Sequence, residues 1–156
     1  KRITISTSGI VPKINQFIKD KYKYKLAISL NATDDETRKR IMPINRNWPI
    51  NKVIESASAF AKNSNYRVMF EYVLLKDVND SPEDAIRLAK LIKNINCKVN
   101  IIPYNETNGK YIRPSEHKIE TFIRILNKNR KNFTILVRWS KGEDISAACG
   151  QLAVNN

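Results

Sequence analysis

Apolar runs of strand length alternate with stretches of helical period from one end of this chain to the other, and that alternation limits the fold more than any other feature. Ile3 to Ser6 reads as a short strand, and Pro12 to Lys21 carries Ile14, Phe17 and Ile18 at helical spacing. Leu26 to Leu30 is a continuous apolar run. Thr33 with Glu36 three residues on reads as a capping box that opens a short helix. Pro43 and Pro49 bracket a loop, and Val53, Ile54, Ala57, Phe60 and Ala61 mark the next helix. Val68 to Leu75 is a β-prone run, closed by a turn at Asn79-Asp80. Ser81-Pro82 supplies an N-cap and a proline at the first helical position, and Ile86, Ala89, Leu91 and Ile92 give that helix its apolar face. Val99 to Pro103 is another strand. Ser115 to Asn127 is a helix with Ile119, Phe122, Ile123 and Leu126 inward, and Thr134 to Arg138 is the last strand.

Strands that alternate with helices pair in parallel through right-handed crossovers. Near-continuous apolar strands predict a sheet covered on both faces. Four such units fit an open doubly wound sheet or part of a β/α barrel, and the pattern does not separate them. In both, ligands sit at the carboxyl ends of the strands. Those ends are Ser6, Ser29-Leu30-Asn31 and Asn105, all but Leu30 small or polar.

The 156 residues suffice for one domain, 1–156, with a real core. No apolar run approaches the roughly 18–20 residues that span a bilayer, so no membrane partner is expected. Two cysteines, Cys97 and Cys149, argue against a disulfide framework and for a reducing compartment. Lys and Arg number 28 against 15 acidic residues, for a net charge of +13, which has two readings, a polyanionic partner or a lysine- and asparagine-rich compositional bias. The basic residues are spread over Lys19 to Lys25, Arg38 to Arg46 and Lys128 to Arg138, which is weaker evidence than one dense patch. The chain opens inside a strand, Lys1-Arg2-Ile3-Thr4-Ile5-Ser6, with no initiator Met, and so reads as part of something longer.

Cys149 sits in Gly142-Glu143-Asp144-Ile145-Ser146-Ala147-Ala148-Cys149-Gly150-Gln151-Leu152. Small neighbours let another molecule approach a thiol closely; a packing cysteine is more often ringed by large aliphatics. Cys97 lies early on an apolar strand and reads as core. His117, between Glu116 and Lys118, reads as solvated, and no Cys/His cluster has zinc spacing. Glu71 sits mid-strand and is free either to bind a polar group or to pair with a lysine. Trp48, Trp139, Tyr104 and Tyr111 have two readings, loop packing or base stacking.

The Cys149 segment resembles the C-terminal signature of the radical S-adenosylmethionine adenine-C2 RNA methyltransferase family, the RlmN/Cfr type. The resemblance runs in order through Ser6-Thr7-Ser8-Gly9, Val11-Pro12, Leu26 to Ala32, Met42 to Asn45, Glu71 to Leu75, Val78-Asn79-Asp80, Cys97 to Asn105, Val137-Arg138, Gly142, Asp144-Ile145 and Ala147 to Ala153. It implies an α/β fold, the C-terminal part of an incomplete (partial TIM) β/α barrel with mostly parallel strands. It implies S-adenosylmethionine as cofactor, contacted by Ser6, by backbone and side chains at Ser29, Leu30 and Asn31, and by Asn105. The family usually has His where this chain has Asn31. It implies a [4Fe–4S] cluster on a C-x-x-x-C-x-x-C run that these residues lack, which places the ligands upstream and leaves this portion inactive alone. Cys149 would be methylated by one S-adenosylmethionine. It would then hand its carbon to C2 of adenine in 23S ribosomal RNA and transfer RNA, with radical chemistry supplied by the cofactor. The same resemblance implies an electron donor such as flavodoxin, and a cytoplasmic monomer is expected. The alternatives are the resistance branch, which methylates C8 of adenine, and a non-catalytic basic RNA-binding α/β domain.

Overall fold

The computed structural model describes residues 3–106 and 109–139. Five strands, β1 (Thr4–Thr7), β2 (Lys25–Ser29), β3 (Val68–Leu74), β4 (Cys97–Pro103) and β5 (Phe133–Val137), form one sheet in the order β1-β2-β3-β4-β5. Every neighbouring pair is parallel. A doubly wound sheet reverses its strand order at a switch point; this sheet never reverses, which is the order of an opening β/α barrel. Right-handed crossovers that always advance in one direction put all their helices on one face. Those helices are α1 (Val11–Lys19), α2 (Asp35–Ile41), α3 (Ile50–Asn63), α4 (Pro82–Ile92) and α5 (Glu116–Lys128), with a 3-10 turn at Pro43–Arg46 between α2 and α3.

The helix-covered face is built from Leu26, Ile28, Phe70, Tyr72, Leu74, Cys97, Val99 and Ile101, all buried. Helices α1 and α3 pack on each other on one side of it, and α4 and α5 on the other. Ile14, Val53, Phe60, Leu88, Ile92, Ile119 and Phe122 fill the layer between. The opposite face is different. In β3 and β4 burial alternates strictly, and Met69, Glu71, Val73, Lys98, Asn100 and Ile102 are only half-buried. The expectation of a sheet covered on both faces is therefore corrected: among the described residues, helices cover one face, and the other is the polar inner face of a partial barrel.

Local chemistry sets the element ends. Ser81 caps α4 by accepting from the Asp84 amide, and the Asp84 carboxylate accepts from the Ser81 amide, a reciprocal capping box with Pro82 at the first turn. Ser115 caps α5. Helix α2 corrects the expected cap: Asp34, not Thr33, is the N-cap, and its carboxylate accepts from the Thr37 amide at 2.8 Å. Thr33 is instead buried, and its hydroxyl donates to Asp84 at 2.8 Å, tying β2 to the start of α4.

Candidate functional site at the strand ends

Two buried polar side chains hold the carboxyl ends of β1, β2 and β3 in place. Arg38 on α2 is 0% exposed. Its Nε donates to the Leu30 carbonyl at 2.9 Å, and Nη1 donates to Asn45 Oδ1 at 3.0 Å. Its Nη2 donates to the Ser8 carbonyl at 2.7 Å and to the Ser29 carbonyl at 3.0 Å. A planar guanidinium reaches several carbonyls at once, which an ammonium cannot do. Burial lowers the Arg38 pKa, and the Asp35 carboxylate works against that shift. Gly9 makes room for the fork: at φ +96° its backbone lies where a Cβ would stand 3.1 Å from Arg38 Nη2 and 3.1 Å from Val53 Cγ2.

Asn79 is the second hub, also 0% exposed. Its amide nitrogen donates to the Asn31 and Val73 carbonyls, both at 2.7 Å, and its Oδ1 accepts from the Leu75 amide at 2.7 Å. The Tyr72 hydroxyl donates to the Asn79 carbonyl at 2.9 Å, and burial, with Asp84 adding, pushes that phenol's pKa well up. Every polar atom of the Asn79 side chain is thus spent on backbone at the ends of β2 and β3.

Asn31 continues this lock. Its φ of +58° is left-handed, a conformation asparagine tolerates better than most residues. Its Oδ1 accepts from the Val73 amide at 2.9 Å, and its Nδ2 lies 3.3 Å from Met42 Sδ. The Leu30 amide donates to the Glu71 carbonyl at 2.9 Å. Leu30 is buried, and Ser29 is half-buried on the inner face in register with Glu71. Glu71 is in turn in register with Asn100. Ser6, exposed on β1, is in register with Ala27 on the same inner face. Asn105 is half-buried two residues past the end of β4. Ser6 and Ser29 thus stand on the inner face toward the carboxyl ends of β1 and β2, Asn105 follows the end of β4, and Leu30 and Asn31 brace the backbone of this rim.

This rim offers hydroxyl and amide groups, and one carboxylate without an ion pair among the described residues, Glu71. That donor set suits a polar, partly cationic small molecule. It does not suit an iron–sulfur cluster. Cys97, the one cysteine among the described residues, is fully buried under the helices, with its thiol pushed up by burial to about 12. No group of three His, Cys, Asp or Glu among the described residues is arranged for a metal. Cys149 lies outside the described residues.

His117 is exposed, as expected. Trp48 packs against the core, Trp139 is exposed, and Tyr104 meets Tyr111 edge-on at 6.5 Å. Sequence reasoning missed Arg38, which it counted only within the scattered basic stretch Arg38 to Arg46, and it read Asn79 only as a turn. The neighbours of Arg38 give little sign of its burial: Lys39 and Arg40 are exposed. No helix among the described residues is long and apolar enough to cross a membrane.

No protein-family model matches the chain. Among curated proteins it is 45% identical over 156 residues to a dual-specificity RNA methyltransferase RlmN of Desulfosudis oleivorans, covering 99% of this chain and 41% of that protein. It is 47% identical to the RlmN of an Anaeromyxobacter species, covering 98% of this chain and 40% of that protein. The chain thus spans about two fifths of the length of these curated relatives. Among solved structures, a radical SAM methyltransferase from Sphaerobacter thermophilus superposes with a TM-score of 0.89 at 43% identity, over 96% of this chain and 43% of that one. A domain of a pyruvate-formate lyase-activating enzyme from Bacteroides vulgatus superposes with a TM-score of 0.66 at 16% identity, a likeness of fold alone.

Proposed function

We infer, for a chain related along nearly its whole length to the RlmN-type radical S-adenosylmethionine RNA methyltransferases, that it is the C-terminal portion of an enzyme methylating C2 of adenine in 23S ribosomal RNA and transfer RNA. The observation that carries this reading is identity of 45% over 99% of the chain. In this reading the rim holds S-adenosylmethionine, which supplies the methyl group. Ser6 and Ser29 offer hydroxyls, Asn105 offers an amide, and the Glu71 carboxylate faces the cofactor's positive charge. Leu30 and Asn31 act through backbone shape, because the Asn31 amide already serves Val73 and Met42. Arg38 and Asn79 position these groups without touching the cofactor. Cys149 is the methyl acceptor and donor thiol. The cluster ligands belong to the remaining length of the protein, since neither cysteine of this chain stands in a cluster motif. A cytoplasmic, monomeric enzyme with a flavodoxin-type electron donor completes the reading.

The test uses the full-length protein with transfer RNA transcript and a 23S fragment, followed by nucleoside mass spectrometry. The wild type yields 2-methyladenosine and carries a methyl on Cys149. Cys149→Ala abolishes the product while thermal melting is unchanged. Methylation by the Cys149→Ala protein, a methyl on Cys97, or product only at C8 refutes the assignment.

A further inference from the structure

The amino-terminal end of the sheet, opposite the rim, carries an aromatic and lysine surface that the methyl-transfer reading does not use. Segment Lys19-Asp20-Lys21-Tyr22-Lys23-Tyr24-Lys25 leads from α1 into β2, with four lysines against one acid. That acid, Asp20, already accepts from the Gln16 amide at 2.6 Å. Tyr22 is 51% exposed and Tyr24 37%. Their rings lie nearly parallel, 12° apart in plane with centroids 6.0 Å apart. Phe17 supports Tyr22 from behind at 5.3 Å and rests on Phe60 at 6.0 Å, so the array is rooted in the core. Beside it opens a cleft of about 470 Å³, lined by Phe17, Lys21, Tyr22, Lys23, Phe60 and Tyr66, with Asn63, Ser64 and Asn65 along its edge. No acidic residue lines it.

Flat exposed rings among lysines match unstacked nucleobases joined by phosphates. Lys21 sits in the left-handed region at φ +52°, just past the end of α1, where glycine is the usual occupant. We propose that Tyr22, Tyr24, Lys21 and Lys23 form a docking site for a single-stranded segment of the RNA substrate. Its bases stack on the tyrosines and its phosphates pair with the lysines, on the far side of the sheet from the methylation rim. An acidic protein would use the lysines but gain little from two stacked, exposed rings. The proposal rests on the reading of RNA as substrate, and the test separates the two.

The full-length protein is titrated with a fluorescein-labelled single-stranded RNA oligonucleotide and with heparin, a polyanion without bases, at several salt concentrations. Lys21→Ala with Lys23→Ala lowers the slope of log affinity against log salt on RNA by about 1.4, as two lost phosphate contacts require. Tyr22→Ala with Tyr24→Ala weakens RNA by about fivefold or more and leaves heparin unchanged, whereas Tyr22→Phe with Tyr24→Phe keeps RNA affinity within about twofold. Ultraviolet crosslinking with peptide mapping places RNA on the peptide holding Tyr22 and Tyr24. In methylation assays on transfer RNA, the alanine variants raise KM and keep kcat. If the wild type methylates RNA and the tyrosine variants match it in affinity, crosslink and KM, the docking site is refuted and the methyltransferase reading stands. If heparin and RNA fall equally in the tyrosine variants, base stacking is refuted. If the wild type binds RNA at this site but yields no methylated adenosine, the methyltransferase reading falls alone.

Discussion

Replacing Arg38 by alanine tests whether the rim is held by one buried cation. The side chain is fully buried and makes four hydrogen bonds, to the carbonyls of Ser8, Ser29 and Leu30 and to Asn45 Oδ1. Each bond to a charged donor is worth about 1.5–3 kcal/mol in isolation, but bonds from one group do not add, and removing the buried charge recovers part of its desolvation cost. A net loss of about 3–5 kcal/mol follows, the range for breaking a buried polar network. For a domain of this size that corresponds to a fall in Tm of roughly 6–20 °C. Arg38→Lys keeps the charge but not the fork, and falls between alanine and the wild type. Lys39→Ala, one residue along and exposed, stays within about 0.5 kcal/mol of the wild type. The assay is thermal melting by circular dichroism with a urea titration on the same samples. An Arg38→Ala melt within about 2 °C of the wild type would refute the argument, because three carbonyls and a buried amide oxygen would have lost their donor without consequence.

Asn79→Ala strips donors from the Asn31 and Val73 carbonyls and an acceptor from the Leu75 amide, and costs about 2–4 kcal/mol in the urea midpoint. Asn79→Asp recovers little, since a carboxylate cannot donate to those carbonyls; a wild-type midpoint for Asn79→Asp would contradict this. Cys97→Ala empties core volume and costs about 1–2 kcal/mol. The Cys97 thiol also sets an alkaline limit: its folded pKa is raised from 9.0 to about 12, so its contribution is complete below 9.0 and is lost as pH climbs toward about 12. Urea midpoints across that window should fall more steeply for wild type than for Cys97→Val, and equal slopes would remove the thiol from the account.

The open inner face and the buried hubs have one cause. A sheet whose strands advance in chain order receives all its helices on one side, so only that side is sealed by apolar packing. The other side keeps alternate polar residues such as Ser29, Glu71 and Asn100 available to a ligand. Strand ends on such a sheet have no second helix layer to brace them. Here a side chain from the following helix and one from the following loop do so, Arg38 on α2 beyond β2 and Asn79 beyond β3.

The sequence by itself determined the order and type of the strands and longer helices, because apolar period and N-caps such as Ser81-Pro82 act within a turn or two of chain. It also determined Cys97 as core and placed Ser6, Ser29 and Asn105 at strand ends, since those depend only on position along a strand. Tertiary structure alone decided the arrangement of the strands within the sheet, the half-buried inner face, the hand-over of the α2 cap from Thr33 to Asp34, and the roles of Arg38 and Asn79. Arg38 reaches back 30 residues to the Ser8 carbonyl, and Asn79 reaches back 48 to that of Asn31. An arginine in a basic stretch and an asparagine in a turn look local until the fold brings distant carbonyls to them. What buries a polar side chain is the arrival of partners from elsewhere in the chain, and no window of neighbouring residues contains that information.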